Sequence, residues 1–348
     1  MTAVKFGLST RTVGLYWLAG LLVTVTLIAA FYIWLMQSSP SVAKSPLEQI
    51  VIATNTEYVG TCSIVAAREQ GYFAREGILV LIQSHSSGKA AMEAVLQGRA
   101  NVGTVADIPV MFAGFDQKPV SVLATIFKTE KDHGIVGRKD RGILEPASLK
   151  GKRIGVTLST SGHFTLSAFL NRQKLSAKDV TMVNYKPEEF ADALVRGDVD
   201  AVASWEPFLN TMMGRLGSNG VAFYGKDVYE SLYNVVAMRS YIAAHPDIVK
   251  KLLRALDLGS RFCNEKPEVA RQLMSAVKKT DAKSADGSWA SYRFEVGLDQ
   301  GLLLALEDQA RWAIKNKLTN KTVVPNYLDY IYLDGMESVK PAAVTIIH

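Results

Sequence analysis

The chain holds 348 residues, room for two or three domains at ~100 to 200 residues each, so a large core is available without metal or disulfide staples. Hydrophobic residues make up 48%, charged residues 21% and aromatics 9%, values that exclude a disordered, collagenous or multi-span membrane protein. Of the formal +6, Lys5, Arg11 and Lys44 precede any acid, and the remaining 36 bases face 33 acids with no basic stripe interleaved with aromatics, which excludes a nucleic-acid footprint.

The first 12 residues read as a short cytoplasmic N-terminus. Val13 to Met36 then run without a charged side chain, and a helix of that length, ~36 Å, would cross a bilayer core of ~30 Å. Bases before the segment and none after it until Lys44 point to export of everything beyond, with Tyr16, Trp17, Tyr32 and Trp34 near the two interfaces. The segment is read as an uncleaved signal anchor over residues 13–36. The competing reading is a cleavable signal with Ser41-Val42-Ala43 as its small-x-small site, giving a soluble periplasmic form, although the apolar run exceeds the ~7 to 15 residues usual there. Residues 37–47, rich in Ser, Pro and Ala, read as a tether.

From Ile50 onward, β-branched runs alternate with segments of helical period. Ile50–Ala53, Leu79–Gln83, Val102–Val105 and Val120–Phe127 are predicted strands, with helices over Ser63–Gln70, Ala90–Gln97 and Ile108–Gly114. The alternation restarts with strand Arg153–Val156, helix Gly162–Gln173, strand Val180–Asn184, helix Pro187–Arg196, strand Ala201–Ser204 and a helix over Pro207–Leu216. Such repetition predicts α/β lobes of mainly parallel sheet. Residues 48–133 and 239–348 are assigned to a first lobe and 134–238 to a second, with His133–Arg138 and Asn234–Arg239 as the two hinge crossings. Helices Pro246–Asn264, Pro267–Val277 and Leu302–Lys317 return to the first lobe.

The two halves echo each other. In Ala94 to Asp107 and in Ala193 to Glu206 a helix ends at glycine (Gly98, Gly197), a strand follows, and an acid stands nine residues after the glycine. Asp107 and Glu206 then fall past the carboxyl end of a strand, where open α/β sheets bind ligands. Cys62 and Cys263 match no metal spacing; pairing is open to them in an oxidising compartment, but two separate buried thiols is the reading taken.

Further motifs stand in a definite order: Ala67-Arg-Glu-Gln-Gly71-Tyr-Phe-Ala-Arg-Glu-Gly77-Ile, Leu149-Lys-Gly-Lys-Arg-Ile-Gly155-Val, Thr160-Ser-Gly-His-Phe164, Ala193 to Ala201, and Trp205-Glu-Pro207. Together they resemble the nitrate/sulfonate/taurine and thiamine-precursor group of ABC-transporter substrate-binding proteins, across residues 48 to 335. The resemblance implies a type II periplasmic-binding-protein fold, two lobes on a two-strand hinge, presenting a small solute to an inner-membrane ABC permease. The chain departs from most relatives in its N-terminal segment. It is similar in plan to fungal thiamine-pyrimidine synthases, but Cys62 stands alone where those have a cysteine-rich motif.

Candidate site residues follow. Leu158 to Gly162 lies between a strand and a helix, where free N–H groups and the hydroxyls of Thr160 and Ser161 would hold an anion, the plainer alternative being an ordinary N-cap. His163 would donate to a bound oxyanion or simply start a helix. A hydrolase reading of Ser161 with His163 fails, because no glycine stands two residues before Ser161 and neighbours two apart face differently. From the resemblance, Ser86, Ser87 and Gly88 form the first lobe's equivalent loop, and Asn55 and Tyr58 follow the first strand as donor and wall, against readings as a cap and a solvated loop. Trp205 offers stacking and Glu206 a carboxylate for a ligand amine, against lobe core and helix N-terminal charge; Asp107 has the same two readings. The solute expected is anionic at one end, with a cation or ring at the other. No cofactor, catalytic residue or metal site is expected: His85, His133, His163, His245 and His348 are scattered. A same-fold enzyme and a tethered sensor for a signalling partner are the alternatives.

Overall fold

The computed structural model describes residues 24, 26–32, 47–225, 228–278 and 289–348. Two units separate at Pro46/Leu47. In the first, residues 26–32 are helical (α1). The rest of the predicted anchor over residues 13–36 lies outside the described residues, as does most of the 37–47 tether. Among the described residues no helix is long and apolar enough to cross a membrane.

The second unit contains two sheets. In its first half β1 (Glu48–Thr54), β2 (Ile78–Ser84), β3 (Val102–Ala106) and β4 (Val120–Thr129) alternate with α2 (Cys62–Glu69), α3 (Tyr72–Arg75), α4 (Gly88–Leu96) and α5 (Asp107–Phe115). The other half has β5 (His133–Arg138), β6 (Arg153–Val156), α6 (Ser161–Arg172), β7 (Thr181–Asn184), α7 (Phe190–Arg196), β8 (Ala201–Trp205), α8 (Phe208–Leu216) and β9 (Gly220–Tyr224). The chain then runs through β10 (Ser231–Met238), α9 (Arg239–Ala244), α10 (Pro246–Glu265), α11 (Pro267–Lys278), β11 (Arg293–Gly297), α12 (Gln300–Lys315) and α13 (Leu333–Val339). Strand β3 is buried at every position, as β-branched and small residues covered on both faces should be. Helix α10 repeats its buried positions at three- and four-residue intervals, Ile248, Val249, Leu252, Leu253, Leu256 and Phe262 among them.

The sheet orders are β11-β4-β10-β3-β1-β2 and β7-β6-β8-β5-β9. Leaving aside the edge strand β11, one rule generates both, with the second, first, third, crossing and fourth strands in that order. Strands β1 and β2 are parallel, as are β6, β7 and β8, but β10 runs antiparallel to β3 and β4, and β5 antiparallel to β8 and β9. The sheets are therefore mixed. Topology supplies the reason: a chain leaving one sheet at the carboxyl ends of its strands arrives at the facing ends of the other, and must run against them.

Two expectations change here. Strand β10 pairs within the six-stranded sheet, so the second crossing falls before Ser231 and not at Asn234–Arg239, and residues 231–238 do not go with 134–230. Cys62 and Cys263, read as separate thiols, form a disulfide with Cα atoms 6.3 Å apart. They are 201 residues apart in sequence, and only the packing of α10 along α2 brings the first residue of one helix to the last turn of the other.

Candidate functional site

Where the two sheets face each other lies a cleft of about 390 Å³, including its open mouth, lined by Asn55, Tyr58, Ser87, Gly88, Lys89, Ala106, Pro109, His133, Thr160, Ser161, Trp205, Ser231 and Tyr233. The echo between the halves is three-dimensional. Gly88 opens α4 against Thr104, Val105 and Ala106 of β3, and Gly162, in the first turn of α6, lies against Ala203, Ser204 and Trp205 of β8. These are corresponding positions of the repeated motif. A Cβ would come within 2.8 Å of the β3 backbone at Gly88 and within 3.2 Å of the β8 backbone at Gly162, so glycine lets each helix start close to its strand, strictly at Gly88 and less so at Gly162, and both helix N-termini face one space.

Ser87 caps α4, its hydroxyl accepting from the Ala90 N–H at 3.2 Å. Thr160 occupies the N-cap of α6 and donates its hydroxyl to the Thr157 carbonyl at 2.6 Å. The turn from β6 passes through Ser159 in the left-handed region at φ 61°. Amides at such helix starts carry partial positive charge and suit an anion. Lys89 adds a full charge and spans the cleft, donating from Nζ to the Leu158 carbonyl at 3.0 Å; burial lowers its pKa. The halves also meet where Trp205, at the end of β8, joins the apolar core of the six-stranded half.

Of the predicted contacts, Asn55, Tyr58, Ser87, Gly88, Thr160, Ser161 and Trp205 line this space. The Asn55 side chain donates to the Ser86 carbonyl at 3.2 Å and accepts from the Glu57 N–H at 3.0 Å, so it also shapes the two loops. Ser86 and Gly162 are not among the residues that line it. Three expectations turn out differently. Asp107 is fully buried and accepts from Tyr229, from Gln309 at 2.5 Å and from the Ile108 N–H at 3.0 Å; burial pushes its pKa up to about 6. Glu206 accepts from Tyr224 at 2.9 Å and from the Asn210 N–H at 3.2 Å, with its pKa raised by burial. Both acids are thus held by tyrosines, Tyr229 lying just ahead of β10 and Tyr224 at the end of β9, so neither lines the cleft. His163 accepts the Ser159 N–H on Nδ1 at 3.4 Å and packs edge-on to Trp312 at 5.4 Å; burial, with Lys89 nearby, pushes its pKa down to about 4, so it is a neutral loop brace.

Sequence reasoning missed Lys89, Asp132, His133 and Tyr233. Asp132 is fully buried and accepts from both Tyr58 and His133 Nδ1, the latter at 2.5 Å. Tyr233 stacks on Phe127 at 5.0 Å and has its pKa pushed up to about 12 by burial. Signals for two of them were present. A lysine in the first turn of a helix opposes the helix dipole, and an Asp-His pair stands where the first strand set ends.

Two α/β halves of matching strand order, crossed twice by the chain around a cleft, define the class: a periplasmic binding protein fold. Solved structures share it. The alkanesulfonate-binding protein SsuA from Xanthomonas axonopodis pv. citri, bound to MOPS, superposes with a TM-score of 0.72 at 19% identity, covering 83% of this chain and 99% of that one. Among sequences, a protein of Bacillus subtilis (strain 168) named for aliphatic sulfonates binding is 30% identical over 229 residues, 63% of this chain and 68% of its own. The taurine-binding periplasmic protein of Escherichia coli (strain K12) is 27% identical over 194 residues, 54% and 59% of the two chains. The family model described as NMT1/THI5 like matches residues 59–270, and the chain belongs to that family.

Proposed function

We propose that the protein is the extracytoplasmic solute receptor of an ABC importer, capturing a small oxyanion by closure of its two halves. One observation carries the reading: the N-terminal turns of α4 and α6, related by the internal repeat, open on the same cleft together with Lys89. A sulfonate or similar group there meets main-chain amides, hydroxyls and one ammonium, while Tyr58, Trp205 and Tyr233 cover an apolar or aromatic tail. The described lining residues include no carboxylate, so an ammonium group on the ligand would be buried without a counter-ion, which favours a monoanion over a zwitterion.

The disulfide supports folding in an oxidising compartment, and the uncharged segment 13–36 would tether the receptor beside its permease. The relatives named above are binding proteins, which supports capture without turnover. Calorimetry on the full-length protein with nitrate, ethanesulfonate, taurine, acetate and a hydroxymethylpyrimidine tests the proposal. Saturable 1:1 binding of ethanesulfonate ahead of taurine is expected. Silence toward every solute, together with turnover of one, would overturn it.

A further inference from the structure

His133 begins β5, at the point where the chain first crosses between the halves. Its ring is buried, Nδ1 donates to Asp132 at 2.5 Å, and the ring lies 5.1 Å from Tyr229 and 6.2 Å from Trp205. Because a carboxylate only accepts, the proton is on Nδ1, and the ring's other nitrogen is fixed in direction. That nitrogen, Nε2, is buried with no partner among the described residues, on a residue that lines the cleft. A buried polar atom left unsatisfied is unfavourable, and such atoms are normally met by a ligand or an ordered water. Asp132 is itself held from both halves. Its carboxylate takes the Tyr58 hydroxyl from the loop after β1, and its carbonyl takes the Glu206 N–H at 2.9 Å.

Two forms of the ring are chemically distinct here. Neutral, it would offer a lone pair to a cleft already lined by amide donors and Lys89, and would repel an oxyanion. Protonated, it offers an N–H beside a charge-balancing carboxylate. We propose that His133 is a ligand-contacting residue that donates Nε2–H from an imidazolium held by Asp132, so that the oxyanion is captured together with a proton. The inference rests on the proposed capture of an anion in this cleft. It assigns the residue that reads the anion's charge and makes affinity depend on pH.

The groups facing His133 are Asp132 on its own segment, Tyr58 after β1, Tyr229 before β10, Asp107 and Glu206 at the starts of the elements after β3 and β8, and Lys89 across the cleft. The tyrosines Tyr58 and Tyr229 are shifted upward and ionise above the histidine range. Asp107 titrates near 6, and so the readout must be specific to the ring. The sign is fixed by linkage. Binding that takes up a proton weakens as pH rises, by at most tenfold per pH unit, and is flat wherever the free and bound protein hold the same number of protons.

The test uses the full-length protein with ethanesulfonate, whose charge is constant over the range. Titration calorimetry from pH 5.5 to 9, in two buffers of different ionisation enthalpy, should show net proton uptake and a Kd rising with pH. Nitrogen NMR of histidine-labelled wild type should show Nε2 of one histidine, absent from the His133→Gln spectrum, protonated to higher pH in the complex. His133→Gln should lose the slope and bind roughly tenfold more weakly at the acidic end; Asp132→Asn, which keeps an acceptor for Nδ1–H, should move the bound ring's titration to lower pH. Wild-type binding with a flat profile and no proton uptake, a bare Nε2 in the complex, or affinity that grows with pH overturns the role of His133 while leaving anion capture standing. Absence of any anion binding at any pH overturns both. Should His133→Gln fail to fold, the His133 signal is assigned by its through-space contacts to the Tyr229 ring 5.1 Å away, and the wild-type NMR measurement still decides the matter.

Discussion

Substituting alanine for Gly88 probes how closely the first anion-facing loop is pressed against its sheet. A Cβ at this position would stand 2.8 Å from the Val105 Cα, 3.1 Å from the Thr104 carbonyl oxygen and 3.3 Å from the Ala106 nitrogen. All are backbone atoms of β3, which is paired on both sides by β1 and β10 and cannot give way. Helix α4 would have to retreat by about 0.6 Å to bring the nearest contact to an ordinary 3.4 Å. Overpacking of this kind costs ~1–3 kcal/mol, and the same retreat draws the first amides of α4 back from the cleft. Since ~1.4 kcal/mol is tenfold in affinity, Gly88→Ala should weaken ethanesulfonate binding by roughly tenfold and lower the melting midpoint by a few degrees. Gly162→Ala is the internal comparison. Its Cβ would meet the Ala203 carbonyl at 3.2 Å and the Trp205 ring at 3.3 Å, gaps that shifts of a few tenths of an ångström restore, so the loss should stay within about threefold. Titration and scanning calorimetry on both variants decide it. Wild-type affinity and melting in Gly88→Ala, or a reversed order of the two, would refute the close-packing argument.

Two further outcomes are expected. Because Cys62 and Cys263 close a loop of 201 residues, chain entropy sets an upper value of ~5 kcal/mol on their stabilisation; the double Cys→Ala variant should melt ~3–8 °C lower by scanning calorimetry, and alkylation of two thiols in the unreduced wild type would contradict the bond. Asp107 has its pKa raised from 3.8 to about 6, so the folded state binds the proton more tightly than the unfolded chain, and the group's contribution to stability is lost as pH rises from 4 to 6 and is constant above. Relative to Asp107→Asn, wild type should therefore lose up to ~3 kcal/mol between pH 4 and 7 in denaturant titrations, and a difference that does not change with pH would count against the burial argument.

The strand and helix pattern from Ile50 to Leu216 was legible because it is local: alternation of β-branched runs with helical-period segments needs no knowledge of what packs where. The repeated glycine-strand-acid motif was legible for the same reason, and Gly98 and Gly197 do end in the left-handed conformation at φ 70° and 81°. What the acids do was not. Asp107 and Glu206 looked like ligand groups because they follow strand ends, yet Tyr229, 122 residues downstream, and Tyr224, 18 residues downstream, take them up. The short strands β9 and β11 passed unnoticed, although Arg293-Phe-Glu-Val alternates buried and exposed side chains as an edge strand should.

By itself, then, the sequence determined the two-sheet α/β plan, the loops that carry serine and glycine to the strand ends, and the resemblance that names the family. Tertiary structure alone decided the pairing of Cys62 with Cys263, the antiparallel insertion of β5 and β10, and the division of polar groups between cleft and scaffold. The reason is physical. Secondary structure and loop chemistry follow from neighbours in the chain, whereas whether a buried carboxylate faces a ligand or a tyrosine depends on which hydroxyl the fold brings within hydrogen-bonding distance, and that is set by how the crossings bring the halves together.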